Sequence, residues 1–279
     1  MVPPRYSRAA ILLFSLLAHR AVTAQSYPRT DVRTVIAVNA AIGGVTSAVH
    51  AVAHGKPVGR AFVYGAFGGG LHGSAKTFSP TLGYPAAAIG AVGASIVFNA
   101  GRGAHPLSEL TLPLGPTRVR VTTGSARGVT AALSIYETAM LAKALARPAT
   151  HVDWNRSLTA GTFVLRTTGP LVAGQTRAAG MTSSSVILLS DRARHRSETF
   201  DHERIHVQQH WFVQDVWGRS IENELRRRVG PLRALPRWLE IGGLPRAMLS
   251  LERQAIGADG PLRSWLETEA YSLAERARR

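Results

Sequence analysis

The sequence predicts an α+β protein in which a Gly/Ala-rich helical region precedes a domain of short strands and helices. Two observations support this class. Residues 32–104 are rich in Ala, Gly and Ser and have almost no acidic residue after Asp31. From about residue 105 onward, alternating segments bounded by Gly, Pro and Ser are interleaved with segments of helical periodicity. A chain of 279 residues can form one large domain, or a domain with an appendage.

Residues 1–24 have the three parts of a secretory signal peptide. Arg5 and Arg8 supply positive charge, AAILLFSLLA forms an apolar core, and VTA before Gln25 offers small residues to a signal peptidase. The apolar core is short for a stable membrane anchor, and an uncleaved anchor is the alternative. We therefore predict export to the periplasm, the cell envelope or the extracellular space, with the mature chain beginning near Gln25.

Residues 25–104 are predicted to form helices that pack through small residues. Gly65, Gly69 and Gly73 recur at every fourth position, so bare backbone lies along one helix face and a neighbouring helix can approach closely. No segment here reaches the roughly 18 uninterrupted apolar residues of a confident membrane span. We expect a compact helical layer with membrane surface contact through residues 32–104, and membrane-inserted hairpins are the alternative.

Residues 105–279 are predicted to form one domain of strands and helices. SELTLPLGPTRVRVTT indicates two short strands joined by a turn, and RGVTAALSIYETAMLAKALARP indicates one helix that stops before Pro148. GTFVLRTTG and SSSVILLSD indicate further strands. Helices are predicted around His202, at RSIENELRRRVG, and from about Leu262 to the end.

The segment HERIH has the residue types and spacing of a zinc hydrolase site. On a helix, residues four apart share a face, so His202 and His206 can present imidazole nitrogens to one ion. Glu203 follows the first histidine and can reach a water molecule on that ion, take its proton and deliver it to a leaving amine. The motif is short, so the surrounding sequence must decide whether it indicates a metal site or is a chance match.

The residues around the motif support a helix beside a cleft. Phe200, Val207 and Trp211 fall on one apolar side of the predicted helix. The helix follows the strand SVILLS, which in a zinc hydrolase can lie beside the cleft and pair with an extended substrate. Downstream, WLETEAYSLAER offers Glu267 and Glu269 as candidates for a third protein ligand.

HERIH, followed about sixty residues later by ETEAY, resembles the zincin metallopeptidases of the gluzincin type. The resemblance covers about residues 185–279 and is closest to the HtpX and prenyl-protease group and to related small bacterial zincin domains. It implies a zincin-like domain with a small sheet and the HExxH helix. It also implies that Zn²⁺ is held by His202, His206 and Glu267, with Glu203 as the catalytic general base.

The resemblance leaves the roles of Tyr271 and Glu269 open. Tyr271 stands where the family usually has Asp, so Glu269 stays open as the alternative third ligand. Tyr271 itself is a candidate to contact a ligand or to stabilise the transition state. His210 lies about 12 Å along a helix axis from His202, too far to share an ion, and we expect it at the surface or behind the ligands.

The resemblance implies an exported zinc-dependent metallopeptidase that acts on a peptide or protein substrate. The alternatives are a non-catalytic zincin-fold binding or scaffold protein, and a membrane-associated structural protein in which HERIH is incidental. The chain has no cysteine, so a metal site must use His, carboxylate or water. Its formal charge of +16 is carried mostly by arginine, but no basic run is interleaved with aromatics, so we expect no specific nucleic-acid binding.

Overall fold

The computed structural model describes residues 31–123, 127–169, 171–173, 176–191, 196–243 and 261–276. These residues form helices and sheets, which confirms the predicted α+β class. The segment predicted to be a signal peptide lies outside the described residues, so export stays a prediction.

The described residues form the following elements. The helices are α1 (Val32–Ala53), α2 (Val58–Leu82), α3 (Tyr84–Gly101), α4 (Ile135–Leu145), α5 (Trp154–Ala160), α6 (Arg196–Val213), α7 (Arg219–Arg228), α8 (Gly230–Arg233) and α9 (Pro261–Arg276). A π-helical turn, Gln214–Gly218, connects α6 to α7. The strands are β1 (Glu109–Leu114), β2 (Thr117–Thr122), β3 (Gly128–Ser134), β4 (Thr150–Val152), β5 (Phe163–Thr167), β6 (Leu171–Ala173), β7 (Thr176–Ala178), β8 (Gly180–Ser183), β9 (Val186–Ser190) and β10 (Leu239–Glu240).

Helices α1, α2 and α3 pack with their backbones in direct contact, as the glycine spacing predicted. A Cβ atom added at Gly69 would overlap the carbonyl oxygen of Asn39 in α1. A Cβ atom added at Gly43 would overlap the carbonyl oxygen of Gly65 in α2. Only glycine allows this separation, because any larger residue would push the helices apart.

Helices α1 and α3 are long and apolar enough to cross a membrane, with mean hydropathies of 1.7 and 1.3. In the structure, 44% of the apolar window of α1 and 72% of that of α3 are buried against protein. Core helices of a folded domain have the same length and composition, so these values do not establish a membrane span. Helix α2 exposes Phe62, Val63 and Phe67. Membrane contact through residues 32–104 therefore stays a prediction.

The strands form two four-stranded sheets and a separate hairpin. The first sheet has the order β1-β2-β3-β10, and the second has the order β4-β5-β9-β8. Strands β5 and β9 run parallel, and β8 pairs antiparallel with β9. Gly115, at φ +57°, closes the hairpin between β1 and β2, which confirms the two strands and the turn predicted there.

The single helix predicted for RGVTAALSIYETAMLAKALARP is wrong in its first part. Strand β3 occupies Gly128–Ser134 and pairs with β2 along its length. Helix α4 begins only at Ile135, where the hydroxyl of Ser134 accepts a hydrogen bond from the Glu137 backbone N–H. Pairing on both sides of the strand outweighs the helix propensity of the alanines in this segment.

Helix α6, which contains HERIH, packs between the second sheet and the helical layer. Its predicted apolar side is confirmed, since Phe200, Val207 and Trp211 lie in one buried cluster with residues of β5 and β9. On another side, Ile205 packs with Val35 of α1 and with apolar residues of α9. The surrounding elements therefore fix the position and rotation of α6.

We expect Gly69→Ala to lower the free energy of unfolding by about 1–3 kcal/mol, because the added methyl group meets backbone of α1 that cannot move aside. Gly70→Ala is the matched control. The Cβ atom added at Gly70 would lie 3.6 Å from the Cβ of Ala40, which is an ordinary van der Waals contact. Because alanine is more favourable than glycine in a helix by up to about 1 kcal/mol, we expect this variant to be as stable as the parent or more stable. Denaturant unfolding of both variants tests this, and equal effects would contradict the packing described.

Candidate metal centre

Helices α6 and α9 bring His202, His206 and Glu267 together. The Nε2 atoms of the two histidines are 3.0 Å apart, and Oε2 of Glu267 lies 3.4 Å from each. The histidines lie one turn apart on α6, and Glu267 comes from α9, which packs along α6. We call these three side chains the metal triangle, because their donor atoms are close enough to hold one metal ion.

The metal triangle is open to solvent on one side. The side chain of Glu267 is 30% exposed, against 12% for His202 and 17% for His206. An ion could therefore reach the triangle and still contact water. Within the described ranges, this is the one group of three histidine, cysteine or acidic side chains with that geometry.

The charges around the metal triangle favour a cation. Burial lowers the pKa of His206, but the hydrogen bond and charge of Glu267, aided by the charge of Glu203, outweigh burial and raise that pKa. Burial raises the pKa of Glu267, but hydrogen bonds from His202 and His206 hold it well below its usual range. Glu267 is therefore ionised at neutral pH and attracts positive charge to the triangle.

Gln209 sets the protonation of His206. Nδ1 of His206 lies 2.8 Å from Oε1 of Gln209. An amide oxygen only accepts hydrogen bonds, so Nδ1 carries the proton in the neutral ring and Nε2 presents a lone pair to the triangle. The amide nitrogen of Gln209 donates to Oε2 of Glu269 over 2.7 Å and to the carbonyl of Leu266 over 3.0 Å.

Glu269 lies behind the metal triangle and is fully buried. Its carboxylate accepts hydrogen bonds from Nζ of Lys76 over 2.8 and 2.7 Å, from Nδ2 of Asn39 over 2.7 Å, and from Gln209. These donors occupy both oxygens. The structure therefore brings Glu267, and not the alternative Glu269, to the two histidines.

Glu203 faces strand β8 beside the metal triangle. Oγ1 of Thr182 lies 2.7 Å from Oε2 of Glu203 and 2.9 Å from its backbone carbonyl. A Cβ atom added at Gly180 would lie 3.0 Å from Cγ of Glu203, so the strand lies directly against the carboxylate. The expectation that the strand SVILLS can pair with an extended substrate is wrong, because this strand, β9, is already paired on both sides. Strand β8 is the edge strand of the sheet.

Tyr271 lies next to the metal triangle. Its ring centroid is 4.2 Å from that of His202, and the residue is half-exposed. Tyr271 follows Glu267 by one helical turn, so both lie on the same face of α9. The structure thus places Tyr271 in contact with a candidate ligand, and its role in stabilising a transition state stays a prediction.

His210 is not part of the metal triangle, as expected, but it lies neither at the surface nor behind the candidate ligands, because it is buried in a separate cluster. Its Nε2 atom lies 3.0 Å from Oε1 of Glu137 and 2.8 Å from Oγ of Ser184. Glu137 comes from α4, and no local pattern in the sequence predicts that its side chain contacts His210. His210 thus belongs to a different cluster and does not join the metal triangle.

This second cluster is a buried charge network centred on Glu137. The carboxylate pairs with Nη1 and Nη2 of Arg118 over 3.3 and 2.9 Å, and Nε of Arg118 donates to Asp215 over 3.0 Å. Burial raises the pKa of Glu137, but Arg118 and His210 lower it to about 2. Because its charges are paired at these distances, the network holds α4, β2 and the end of α6 together.

Sequence reasoning missed the residues that support the metal triangle from behind, Asn39, Lys76 and Gln209, and it missed Thr182, which contacts Glu203. Lys76 could have been recognised from the sequence, because it is one of three lysines in the chain and lies in an Ala/Gly-rich helix. A lysine that is buried there requires a carboxylate partner. That partner lies 193 residues away, and no local pattern identifies it.

Comparison of the chain with protein-family models, with curated proteins and with solved structures finds no match. The function is therefore inferred from the chemistry of the site. Two histidines and a carboxylate converge on one point, a further carboxylate lies beside them, and a sheet edge runs past that carboxylate.

We expect the buried charge network to make the protein sensitive to acid. The folded-state pKa of Glu137, about 2, lies below its ordinary value of 4.5, so ionised Glu137 stabilises the fold above pH 4.5. This stabilisation, on the order of 3 kcal/mol, is lost as the pH falls toward 2. Denaturant unfolding at a series of pH values, with a chelator present, measures it.

Glu137→Gln is the test variant, and Glu224→Gln, on the exposed side of α7, is the control. We expect Glu137→Gln to be less stable than the parent at pH 7 and to lose less stability between pH 4.5 and 2. An acid dependence as steep as that of the parent would show that Glu137 is not the group responsible.

Proposed function

We propose that the chain is a zinc-dependent metallopeptidase of the zincin type. In this proposal His202, His206 and Glu267 hold the zinc ion and Glu203 is the general base. The observation that carries it is the convergence of three donor atoms from two helices, within 3.4 Å of one another. If HERIH were incidental, nothing would require Glu267 of α9 to lie beside the two histidines of α6.

The dimensions of the metal triangle fit zinc. Tetrahedral zinc with bonds of roughly 2.0–2.1 Å separates its ligand atoms by about 3.3 Å. The observed separations are 3.0, 3.4 and 3.4 Å. Three protein ligands leave the fourth position to water, which is typical of catalytic zinc, whereas structural sites use four protein ligands.

Gln209 and Glu269 favour a stable site, because they hold His206 in the tautomer that binds a metal. Hydrogen bonds of this kind from behind a ligand strengthen metal binding. Through Lys76 and Asn39, the N-terminal helices contribute to the same support. In the proposed enzyme, α1 and α2 are therefore part of the metal centre.

Glu203 is placed to move the proton. When bound, zinc supplies a Lewis acid that lowers the pKa of water at the site. Thr182 engages Oε2 of Glu203 and so orients the carboxylate, which would accept a proton from a water molecule at the site. The hydroxide left by that transfer would add to the carbonyl carbon of the peptide, and Glu203 would deliver the proton to the leaving amine as the C–N bond breaks, giving a carboxylic acid and an amine.

An extended peptide is the substrate class that the surroundings of Glu203 favour. Strand β8 is the edge of its sheet and lies against the Glu203 carboxylate. A peptide can add to such an edge as a further strand through backbone hydrogen bonds, largely independent of its sequence. This arrangement would place a backbone carbonyl next to the metal triangle.

Export and membrane contact belong to the same proposal. The exposed apolar side chains of α2, including Phe62, Val63 and Phe67, are suited to contact with a membrane surface. The alternatives, a zincin-fold binding protein without activity and a membrane-associated structural protein, differ from the proposed enzyme in metal content or in turnover.

We expect zinc-loaded protein to retain about one zinc ion per chain, as one triangle of three ligands requires. His206→Ala and Glu267→Gln should lose it, because each removes a ligand. Glu269→Gln keeps all three ligands and should still bind zinc when folded, but about 10–100-fold more weakly, because Gln209 loses the carboxylate that orients it. Glu275→Gln controls for changes to α9 alone. Elemental analysis and circular dichroism of each variant test this. Zinc retained by Glu267→Gln, or no zinc in the parent protein, would contradict the proposal.

We expect Glu203→Gln to bind zinc as the parent does and to cleave peptides about 10²–10⁴-fold more slowly, because the amide cannot accept the proton. A pool of fluorogenic peptides provides the substrate, and Glu275→Gln is the matched control. Undiminished cleavage by Glu203→Gln would exclude Glu203 as the base. Zinc-loaded parent protein that cleaves nothing in the pool would favour the binding-protein alternative.

A further inference from the structure

A cavity of about 1050 Å³ lies on another part of the molecule, among the α1–α2 loop, α3, α7 and β10. Its lining includes no member of the metal triangle. We call it the basic cavity, because eight cationic side chains and two glutamates line it. The cations are Lys56, Arg102, Arg120, Arg219, Arg226, Arg227, Arg233 and Arg237, and the glutamates are Glu222 and Glu240.

Half of these cations are neutralised by carboxylates. The ion pairs are Arg120–Glu240, Arg219–Glu109, Arg226–Glu222 and Arg227–Glu224. The other four cations, in the part of the chain that the structure describes, have no carboxylate partner; they are Lys56, Arg102, Arg233 and Arg237. Because Glu224 also pairs with Arg228, the basic cavity has an excess of at least four positive charges, which separate segments of the chain contribute.

Phe98 holds two of the guanidinium groups in place. The guanidinium carbon of Arg219 lies 4.2 Å from the centre of the Phe98 ring, and that of Arg102 lies 5.2 Å from it. Arg219 also donates to Oγ1 of Thr111 over 3.0 Å. Side chains that are already ordered lose less conformational entropy when a ligand binds.

The positive charges in the basic cavity oppose one another. Burial lowers the pKa of Arg120, and the neighbouring charge of Arg219 adds to this, so the pKa is about 10. Burial also lowers the pKa of His54, and the charges of Arg102 and Arg227 lower it further. Nε of Arg120 is buried without a hydrogen-bond partner. An anion in the cavity would relieve this repulsion and could supply an acceptor.

We propose that the basic cavity binds a ligand with two or more phosphate groups, either as a free molecule or as the head group of a lipid. A planar guanidinium group can donate two parallel hydrogen bonds to two oxygens of the same phosphate. The volume exceeds the need of a single phosphate, and four unpaired cations suit several negative charges. Phe98 is buried beneath two arginines, so it offers no face on which a nucleic-acid base could stack.

The test uses the mature protein freed of metal, because phosphates also bind zinc. Isothermal titration with inorganic pyrophosphate at physiological ionic strength should give saturable binding. The double variant Arg102→Gln/Arg237→Gln should bind at least about tenfold more weakly, since it removes half of the unpaired charge. Arg147→Gln, which changes one arginine outside the cavity, should bind as the parent does, as should Glu267→Gln in the metal triangle.

A second arm distinguishes the source of the phosphate. The same proteins are sedimented with phosphatidylcholine vesicles, with and without cardiolipin, whose head group carries two phosphates. Binding to cardiolipin vesicles that the double variant loses would assign the cavity to a lipid head group, whereas pyrophosphate binding alone would assign it to a free ligand. No pyrophosphate binding by the parent, together with vesicle binding unaffected by the double variant, would overturn the proposal. Equal weakening by Arg147→Gln would overturn it too.

Discussion

The buried ion pair between Lys76 and Glu269 is the interaction on which the metal centre depends. Neither charge is stable in a protein interior alone, so each requires the other together with further hydrogen bonds. Asn39 and Gln209 supply those bonds, and Gln209 in turn orients His206. A chain of polar contacts thus runs from the N-terminal helices to a candidate metal ligand, and loss of any member leaves a buried polar group without its partner.

This dependence explains why the first helices are so rich in glycine. Asn39 lies on the face of α1 that packs against α2, and Gly69 allows the two backbones to touch there. Lys76 lies two turns further along α2 and reaches Glu269 from the same layer. Close packing of the helical layer and the position of His206 are therefore parts of one arrangement. A helix separation suited to larger side chains would move both Asn39 and Lys76 away from the carboxylate.

Local patterns made the helix α6, its apolar side and the proximity of His202 and His206 predictable, because helix periodicity alone determines them. The position of Glu267 beside the two histidines was predicted only from the resemblance of HERIH and the downstream ETEAY to a known family pattern. Contacts between distant segments were not predictable. The burial of His210 depends on Glu137 in another helix, and the role of Glu269 depends on a lysine 193 residues away. Strand β3 was missed for another reason: the alanines in GVTAALS favour a helix in isolation, and only pairing with the adjacent β2 and the distant β10 makes the segment a strand.

The central claim is that one metal ion is held by His202, His206 and Glu267. Anomalous diffraction at the zinc edge, from crystals of zinc-loaded protein, tests it most directly. We expect a peak about 2.0–2.1 Å from Nε2 of both histidines and from a carboxylate oxygen of Glu267. Strong zinc density at Glu269 or elsewhere, with none between α6 and α9, would contradict it.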